Sequence, residues 1–74
     1  MFVSASFSQK SYFFIRSRLN GLVLDVQGAN PAPGTPVITW NQKSTDNSNQ
    51  LWFEDSSTGT IRCKLNEYCL DVAG

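Results

Sequence analysis

The chain has 74 residues, of which 41% are apolar, and its six basic and six acidic residues balance to no net charge. This length allows one small domain with a marginal core, and the apolar content is not that of a disordered chain. Neutrality argues against nucleic-acid binding and against docking on anionic membranes, because both need a basic face. No stretch approaches the roughly 18 apolar residues that span a bilayer, so membrane insertion is not expected.

The predicted secondary structure consists only of short β-strands separated by turn residues. Asn20 and Gly21 form a turn that tolerates positive φ, and the three prolines between residues 30 and 36 exclude a helix or a central strand there. No window shows a helical period. The six predicted strands cover residues 12–15, 22–26, 37–40, 50–54, 60–64 and 69–72.

Residues 15–28 return 46 positions later as residues 61–74. Eight of the 14 aligned positions are identical, and Arg18 and Lys64 keep the charge. A repeat of this length indicates an array of supersecondary units. The chain is therefore expected to contain one four-stranded unit, residues 9–56, and the beginning of a second, residues 57–74.

One four-stranded unit leaves its sheet edges uncovered and cannot close a barrel. Repeated units solve this problem by associating, either within one chain or between chains. Three interpretations follow: the chain is a fragment, it forms a homo-oligomer that completes the fold, or it keeps open sheet edges.

Three motifs then point to a known family. They are the Leu-Asp-Val-x-Gly turn at residues 24–28, the aromatic Trp40 at the end of the third strand, and the Gln-x-Trp sequence at residues 50–52. Asp25 precedes Trp40 by 15 positions, and Trp40 precedes Asn49 by nine. With these motifs and spacings, the chain resembles the ricin-B-type lectins.

The resemblance covers residues 12–74 and implies a β-trefoil, in which three such units surround a pseudo-threefold axis as a six-stranded barrel capped by three hairpins. We therefore expect residues 1–74 to be a single, partial, all-β domain of the β-trefoil type. Oligomerisation or sequence outside this chain would complete it.

The motif residues carry the chemistry that sugar binding needs. The Asp25 carboxylate accepts hydrogen bonds from two neighbouring hydroxyls, the Trp40 ring offers a flat apolar surface, and Asn49 both donates and accepts. Gly28 leaves room for a ligand to approach the backbone. The resemblance implies a shallow site for galactose or N-acetylgalactosamine, in which Asp25 holds O3 and O4, Trp40 stacks and Asn49 completes the set. Gln50 is expected behind them as a supporting residue.

Other interpretations of these residues stay open. Asp25 and Asp71 can serve only as turn-formers that accept backbone N–H groups, and for Asp71 we favour this role because no aromatic partner follows it in the chain. Trp40 is alternatively a buried strand residue. Ile38 stands where some galactose-binding relatives carry a polar side chain, which leaves the exact sugar open. The alternatives to a lectin are a structural or protein-interaction β-trefoil unit and the N-terminal fragment of a larger lectin or toxin.

Structural roles are predicted for the other repeated residues. Arg16 and Arg62 occupy equivalent positions, which indicates that both bind backbone carbonyls. Leu51 and Trp52 are expected in the core. Further core residues are predicted at Leu19, Leu24, Val26, Leu65, Leu70 and Val72.

The two cysteines, Cys63 and Cys69, flank the tip of the last predicted hairpin. The resemblance implies a disulfide across this hairpin. Two free thiols are the alternative, as expected in a reducing compartment. A zinc site is not expected, because the chain has no His and no further Cys.

Catalysis is not expected either. The absence of His removes the commonest general base and most triads, there is no glycine-rich phosphate loop, and the six carboxylates form no pair suited to glycoside hydrolysis. We therefore predict a non-enzymatic protein without cofactor or metal, whose partners are galactose-type glycans. A secreted or extracellular location is favoured, although no signal peptide is visible.

Overall fold

Two antiparallel β-hairpins form the framework of residues 10–71, the part of the chain that the computed structural model describes. The elements are β1 (Val23–Val26), a 3-10 turn (Gln27–Ala29), β2 (Val37–Trp40), a second 3-10 turn (Ser48–Gln50), β3 (Trp52–Asp55) and β4 (Thr60–Cys63). One sheet pairs β1 with β2, and the other pairs β3 with β4. No helix within this range has the length and apolar character to cross a membrane.

The register of the first hairpin decides which side chains share a face. Asp25 lies opposite Ile38, and Val23 lies opposite Trp40. Because side chains alternate between the two faces of a strand, these four residues lie on one face of the β1–β2 sheet. Val26 lies on the other face and belongs to the core.

A small apolar core joins the two hairpins. Val26, Trp52 and Cys63 are its buried members, each exposed by 5% or less. The indole Nε1–H of Trp52 donates to Leu24 O at 3.4 Å, which links β3 to β1. The partly buried side chains packed around this centre are Ile15, Leu24, Ile61, Leu65 and Leu70.

The repeated sequences fold into equivalent turns. Three backbone hydrogen bonds within residues 15–24 recur 46 positions later within residues 61–70. Arg16 Nη1 donates to Gly21 O at 2.8 Å, and Arg62 Nη1 donates to Glu67 O at 2.9 Å. The prediction that both arginines bind backbone carbonyls is confirmed.

The predicted strands are confirmed in the middle of the chain and corrected at its ends. Residues 37–40 form the predicted strand, and the strands predicted at 22–26 and 60–64 are each shorter by one residue. Residues 12–15 do not form a strand, because only Phe13 meets the free edge of β3, in a single bridge to Trp52. The strand predicted from residue 50 begins at Trp52, since Gln50 ends a 3-10 turn.

At the C-terminal end, the strand predicted at residues 69–72 is reduced to one bridge between Cys69 and Arg62. Residues 72–74 lie outside the described part of the chain. Within residues 10–56, the first unit therefore has three strands and not the expected four.

Two of the predicted core residues are corrected as well. Leu19 is 92% exposed, because it lies at the tip of the first turn and no neighbouring element covers it. Leu51 is only partly buried. Trp52 and Val26 are core residues as predicted, whereas Val72 lies outside the described residues.

The disulfide implied by the resemblance is not formed. Cys69 lies opposite Arg62, and the N–H of Cys63 donates to Tyr68 O at 3.1 Å. No disulfide joins the two cysteines in the part of the chain that the structure describes. Cys63 is buried, with its Sγ 3.4 Å from Ser48 O, while Cys69 is exposed, and both are free thiols.

Candidate functional site

The candidate site begins with a carboxylate held inside the first hairpin. Asp25 is only 4% exposed, although it lies in the middle of β1. Its Oδ2 accepts a hydrogen bond from Gln50 Nε2 at 2.9 Å. No donor within residues 10–71 bonds to Oδ1, so this oxygen keeps its capacity to accept a hydrogen bond from a ligand.

Gln50 fixes the orientation of this carboxylate. Its Nε2 also donates to Asn41 O at 2.9 Å, and its Oε1 accepts the backbone N–H of Lys43 at 2.8 Å. Gln50 is completely buried, so a buried amide with partners on both ends ties Asp25 to the loop after β2. The side chain lies behind the site and does not line its cavity.

Asn49 and Lys43 supply donors beside Asp25. Asn49 Nδ2 donates to Val26 O at 3.1 Å, and Asn49 Oδ1 accepts from Lys43 Nζ at 2.8 Å. An amide nitrogen and an ammonium carry two and three N–H donors respectively. Each group therefore retains at least one N–H after these contacts.

The Trp40 ring forms the outer side of the site. It is 56% exposed at the end of β2, so the alternative of a buried strand residue is wrong. Trp40 and Ile38 share the sheet face that carries Asp25. These three side chains, with Lys43 and Asn49, line a shallow cavity of about 410 Å³.

The turn after β1 closes the cavity from another side. Gly28 and Ala29 line it, and both have left-handed backbones, with φ of 64° and 52°. Gln27 N donates to Pro36 O at 3.0 Å and ties this turn to the chain before β2. A Cβ on Gly28 would meet no atom within 4 Å, so its positive φ explains the glycine here.

Two larger cavities lie elsewhere and lack this combination of groups. The first, about 680 Å³, is lined by charged groups that already pair with each other, Lys10 with Glu67 and Arg62 with Asp55. The second, about 460 Å³, lies against the core residues of the second hairpin and contains the exposed Asp71. The aromatic residues that line it with Asp71 are the exposed Tyr68 and the buried Trp52.

The structure brings four of the five predicted site residues to one cavity: Asp25, Gly28, Trp40 and Asn49. Three further residues line this cavity and were not predicted from the sequence: Gln27, Ala29 and Lys43. The available signal for Lys43 was its isolation, because it is the one basic residue between Arg18 and Arg62 and follows the aromatic by three positions. Ala29 gave no sequence signal, since alanine does not indicate a left-handed backbone.

A comparison with protein families decides what kind of domain this is. The model of the ricin-type β-trefoil lectin domain matches residues 11–74. The chain belongs to the ricin-type β-trefoil lectin family. Membership agrees with the all-β hairpin architecture and with the three motifs around Asp25, Trp40 and residues 50–52.

Two solved structures of this lectin family are similar to the chain. One is the C-half of the earthworm R-type lectin in complex with GalNAc, with a TM-score of 0.78 and 50% identity over 85% of this chain and 48% of that one. The other is a mutant of the earthworm lectin C-terminal domain in complex with 6'-sialyllactose, with a TM-score of 0.77 and 46% identity over 89% of this chain and 50% of that one.

Among curated proteins, Mucoricin of Rhizopus delemar is 41% identical over 46 residues, which are 62% of this chain and 31% of Mucoricin. The chain thus spans half or less of the length of each of these ricin-type relatives.

Proposed function

We propose that the chain is a carbohydrate-binding lectin unit, and that the cavity at Asp25, Trp40, Lys43 and Asn49 binds a terminal galactose or N-acetylgalactosamine. The observation that supports this most is the free Asp25 Oδ1 beside an exposed tryptophan ring. This pairing offers an acceptor for hydroxyls and a flat surface for C–H groups in one shallow cavity.

The donors and acceptors fit two neighbouring hydroxyls. Galactose presents O3 and O4 on one side, next to an apolar face of C–H groups. In the proposed complex, Asp25 accepts from both hydroxyls while Lys43 Nζ and Asn49 Nδ2 donate to them. Gln50 holds the carboxylate in place and does not contact the sugar.

The apolar Ile38 lies opposite Asp25 in the register and lines the same cavity. It offers no hydrogen bond to a hydroxyl, so the proposal relies on the other groups for orientation. A single shallow site of this kind is expected to bind with a Kd near millimolar, or about −4 kcal/mol. Repetition of the site in a homo-oligomer or in a longer chain would raise the avidity.

The proposed activity is binding and not catalysis. Extracellular glycans carry terminal galactose residues, so a secreted or extracellular location fits the proposal. The homo-oligomer expected from the sequence stays a prediction, which the solution mass of the chain tests directly.

The test is a titration of the chain with N-acetylgalactosamine, galactose and lactose, followed by NMR or calorimetry, with glucose as the epimer control. Saturable binding of the galactose-type sugars is expected. Asp25→Ala is expected to weaken it beyond detection, because charge-assisted hydrogen bonds contribute about 1.5–3 kcal/mol each. Asp71→Ala is the matched control and should bind as the unaltered chain does.

Trp40→Ala is the second variant, with the exposed Tyr68→Ala as its aromatic control. Because Trp52 is buried, acrylamide should quench mainly the fluorescence of Trp40, and bound sugar should protect it. The proposal is contradicted if the folded chain binds none of these sugars, or if the Asp25→Ala variant still binds them. Either result would favour the structural or protein-interaction alternative.

A further inference from the structure

We propose that Asn20 is a site of spontaneous deamidation through a cyclic imide, and that the equivalent Asn66 in the second hairpin is resistant. Asn20 precedes Gly21 at the exposed turn between Arg16 and β1. Asn66 precedes Glu67 in the matching turn of the second repeat. The chain therefore contains its own control for the effect of the residue that follows the asparagine.

The two turns share the hydrogen bond of the asparagine oxygen, and Asn66 makes one more, because its Nδ2 donates to Pro31 O at 3.3 Å. Asn20 Oδ1 accepts the N–H of Leu22 at 3.0 Å, and Asn66 Oδ1 accepts the N–H of Tyr68 at 3.0 Å. Such a bond orients the side-chain amide toward its own backbone. It also places a donor where negative charge develops on this oxygen during attack on Cγ.

The reaction needs only water and hydroxide. Hydroxide removes the proton of the Gly21 amide, and the nitrogen bonds to Asn20 Cγ to give a five-membered ring. The Cγ–Nδ2 bond then breaks, and the nitrogen takes up a proton from water and leaves as ammonia. Water next opens the imide at either carbonyl, which produces aspartate or isoaspartate at position 20 with no oxidation or reduction.

The attacking nitrogen is less hindered in the first turn. A Cβ on Gly21 would meet nothing within 4 Å, and the glycine itself adds no side chain that impedes approach of its nitrogen to Cγ. Glu67 carries a Cβ, and its carboxylate is held by Lys10 Nζ at 2.9 Å. The second turn is therefore more crowded and more firmly anchored.

One bond opposes the reaction in both turns. The N–H of Gly21 donates to Ser17 O at 2.9 Å, and the N–H of Glu67 donates to Cys63 O at 2.7 Å. Each must open before the nitrogen is free. Because this requirement is common to both turns, it does not explain a difference in the deamidation rate between Asn20 and Asn66.

Modification of Asn20 would alter a contact near the cavity. Gly21 O accepts a hydrogen bond from Arg16 Nη1, while Arg16 Nη2 contacts Gln42 Oε1, one residue before Lys43. Isoaspartate adds a methylene to the backbone between Asn20 and Gly21. The turn whose carbonyl holds Arg16 is then longer. The contact of Arg16 with Gln42, which anchors the loop after β2, is lost as a result.

The experiment is to age the folded 74-residue chain in mildly alkaline buffer and to follow each asparagine by peptide mapping with mass spectrometry. Isoaspartate is measured by enzymatic methylation. We expect Asn20 to convert at least about tenfold faster than Asn66, because no side chain hinders the approach of the Gly21 nitrogen to Cγ.

Reciprocal variants test the assigned cause. Gly21→Glu should stop conversion at Asn20, and Glu67→Gly should start it at Asn66, with circular dichroism to verify that each variant folds. If Gly21→Glu does not fold, Glu67→Gly carries the test alone. An Asn20 that stays intact in the folded chain but converts in the guanidinium-unfolded chain would overturn the proposal, as would equal rates at the two positions.

Discussion

The turns at residues 15–24 and 61–70 have the same backbone hydrogen bonds but lie in two different environments. Their three backbone hydrogen bonds, their asparagine-capped turns and their arginine-to-carbonyl bonds match position by position. The aspartates that follow the two turns differ in burial: Asp25 is buried in a cavity, whereas Asp71 is exposed. The repeated sequence determines the turn, and the neighbouring elements determine whether a site forms.

The two arginines illustrate this difference through the guanidinium nitrogens that do not bond to the turn carbonyls. Arg16 Nη2 contacts Gln42 in the loop that leads to Lys43, so the first hairpin is connected to the candidate site. Arg62 Nε instead donates to Asp55 Oδ2 at 2.9 Å, which connects the second turn to β3. The same residue type therefore contacts the loop of the candidate site in one repeat and a strand in the other.

The largest effect on the free energy of unfolding is expected at the position that Ser17 occupies in the first turn and Cys63 in the second. Cys63 is 1% exposed in the core, while the equivalent Ser17 is only partly buried. Cys63→Ser should lower the free energy of unfolding by about 1–3 kcal/mol, the cost of placing a hydroxyl in an apolar site. Urea denaturation measures it, and Ser17→Cys is the control with little expected change. Equal effects would mean that the two positions are equally buried.

A somewhat smaller effect is expected at the turn position with positive φ. Gly21 has φ of 73° and Glu67 has φ of 60°. Gly21→Ala should cost about 1–2 kcal/mol, because a left-handed backbone is unfavourable for a residue with a Cβ. Glu67→Ala keeps the left-handed backbone penalty that this turn already has, and it loses only the solvent-exposed ion pair with Lys10, which contributes little. Thermal or urea unfolding of both variants should give the larger loss for Gly21→Ala, and the reverse order would contradict the equivalence of the turns.

At alkaline pH the free energy of unfolding should decrease through ionisation of the Cys63 thiol. Burial raises the pKa of the Cys63 thiol above its ordinary value. The unfolded thiol begins to ionise near pH 8.5 while the folded one stays protonated, so the free energy of unfolding should fall as pH rises above this point. In Cys63→Ser, the free energy of unfolding should no longer decrease as the pH rises just above the pKa of an unfolded thiol. In Cys69→Ser, which removes the exposed thiol, this decrease should remain. An unchanged pH profile in Cys63→Ser would contradict the assignment.

The smallest effect is expected in acid. Hydrogen bonds from Ser57, and in second place from Arg62, lower the pKa of Asp55 against the opposing effect of burial. Its stabilising contribution is present above the unfolded pKa near 3.9 and is lost as pH falls through the lower folded value. NMR should show the Arg62 Nε signal changing in this range, while the signals of Arg16, which contacts the uncharged Gln42, do not follow it. Asp55→Asn should abolish the change at Arg62.

Strand assignments from the sequence were correct where residues pair along a complete ladder. Residues 37–40 are β-branched or aromatic and lie against β1 for their whole length, so pattern and structure agree. Residues 12–15 carry the same signal but form no strand, because Phe13 alone meets an edge of β3. Leu19 has an apolar side chain and a repeated position, yet nothing covers it. Local propensity does not report whether a partner is present.

The candidate site was predictable where a motif carries the residue. Asp25, Gly28, Trp40 and Asn49 were found from spacing and resemblance, and they line one cavity. Lys43 was missed because its contact with Asn49 depends on the path of the loop after β2. The disulfide was wrong for a similar reason: the spacing of Cys63 and Cys69 is compatible with a bridged hairpin, but the fold buries the first thiol and leaves the second exposed.

The sequence by itself determined the all-β class and the repeat, because these depend on composition, spacing and local turn chemistry, and its motifs carried the resemblance to the lectin family that named most groups at the candidate site. Only the tertiary structure decided that Trp40 is exposed, which groups hold the Gln50 amide, that Lys43 joins the cavity and that both cysteines are free. These properties depend on which segments meet in space. A buried amide such as Gln50 becomes a positioning group only when distant residues deliver its partners, and no local pattern specifies that meeting.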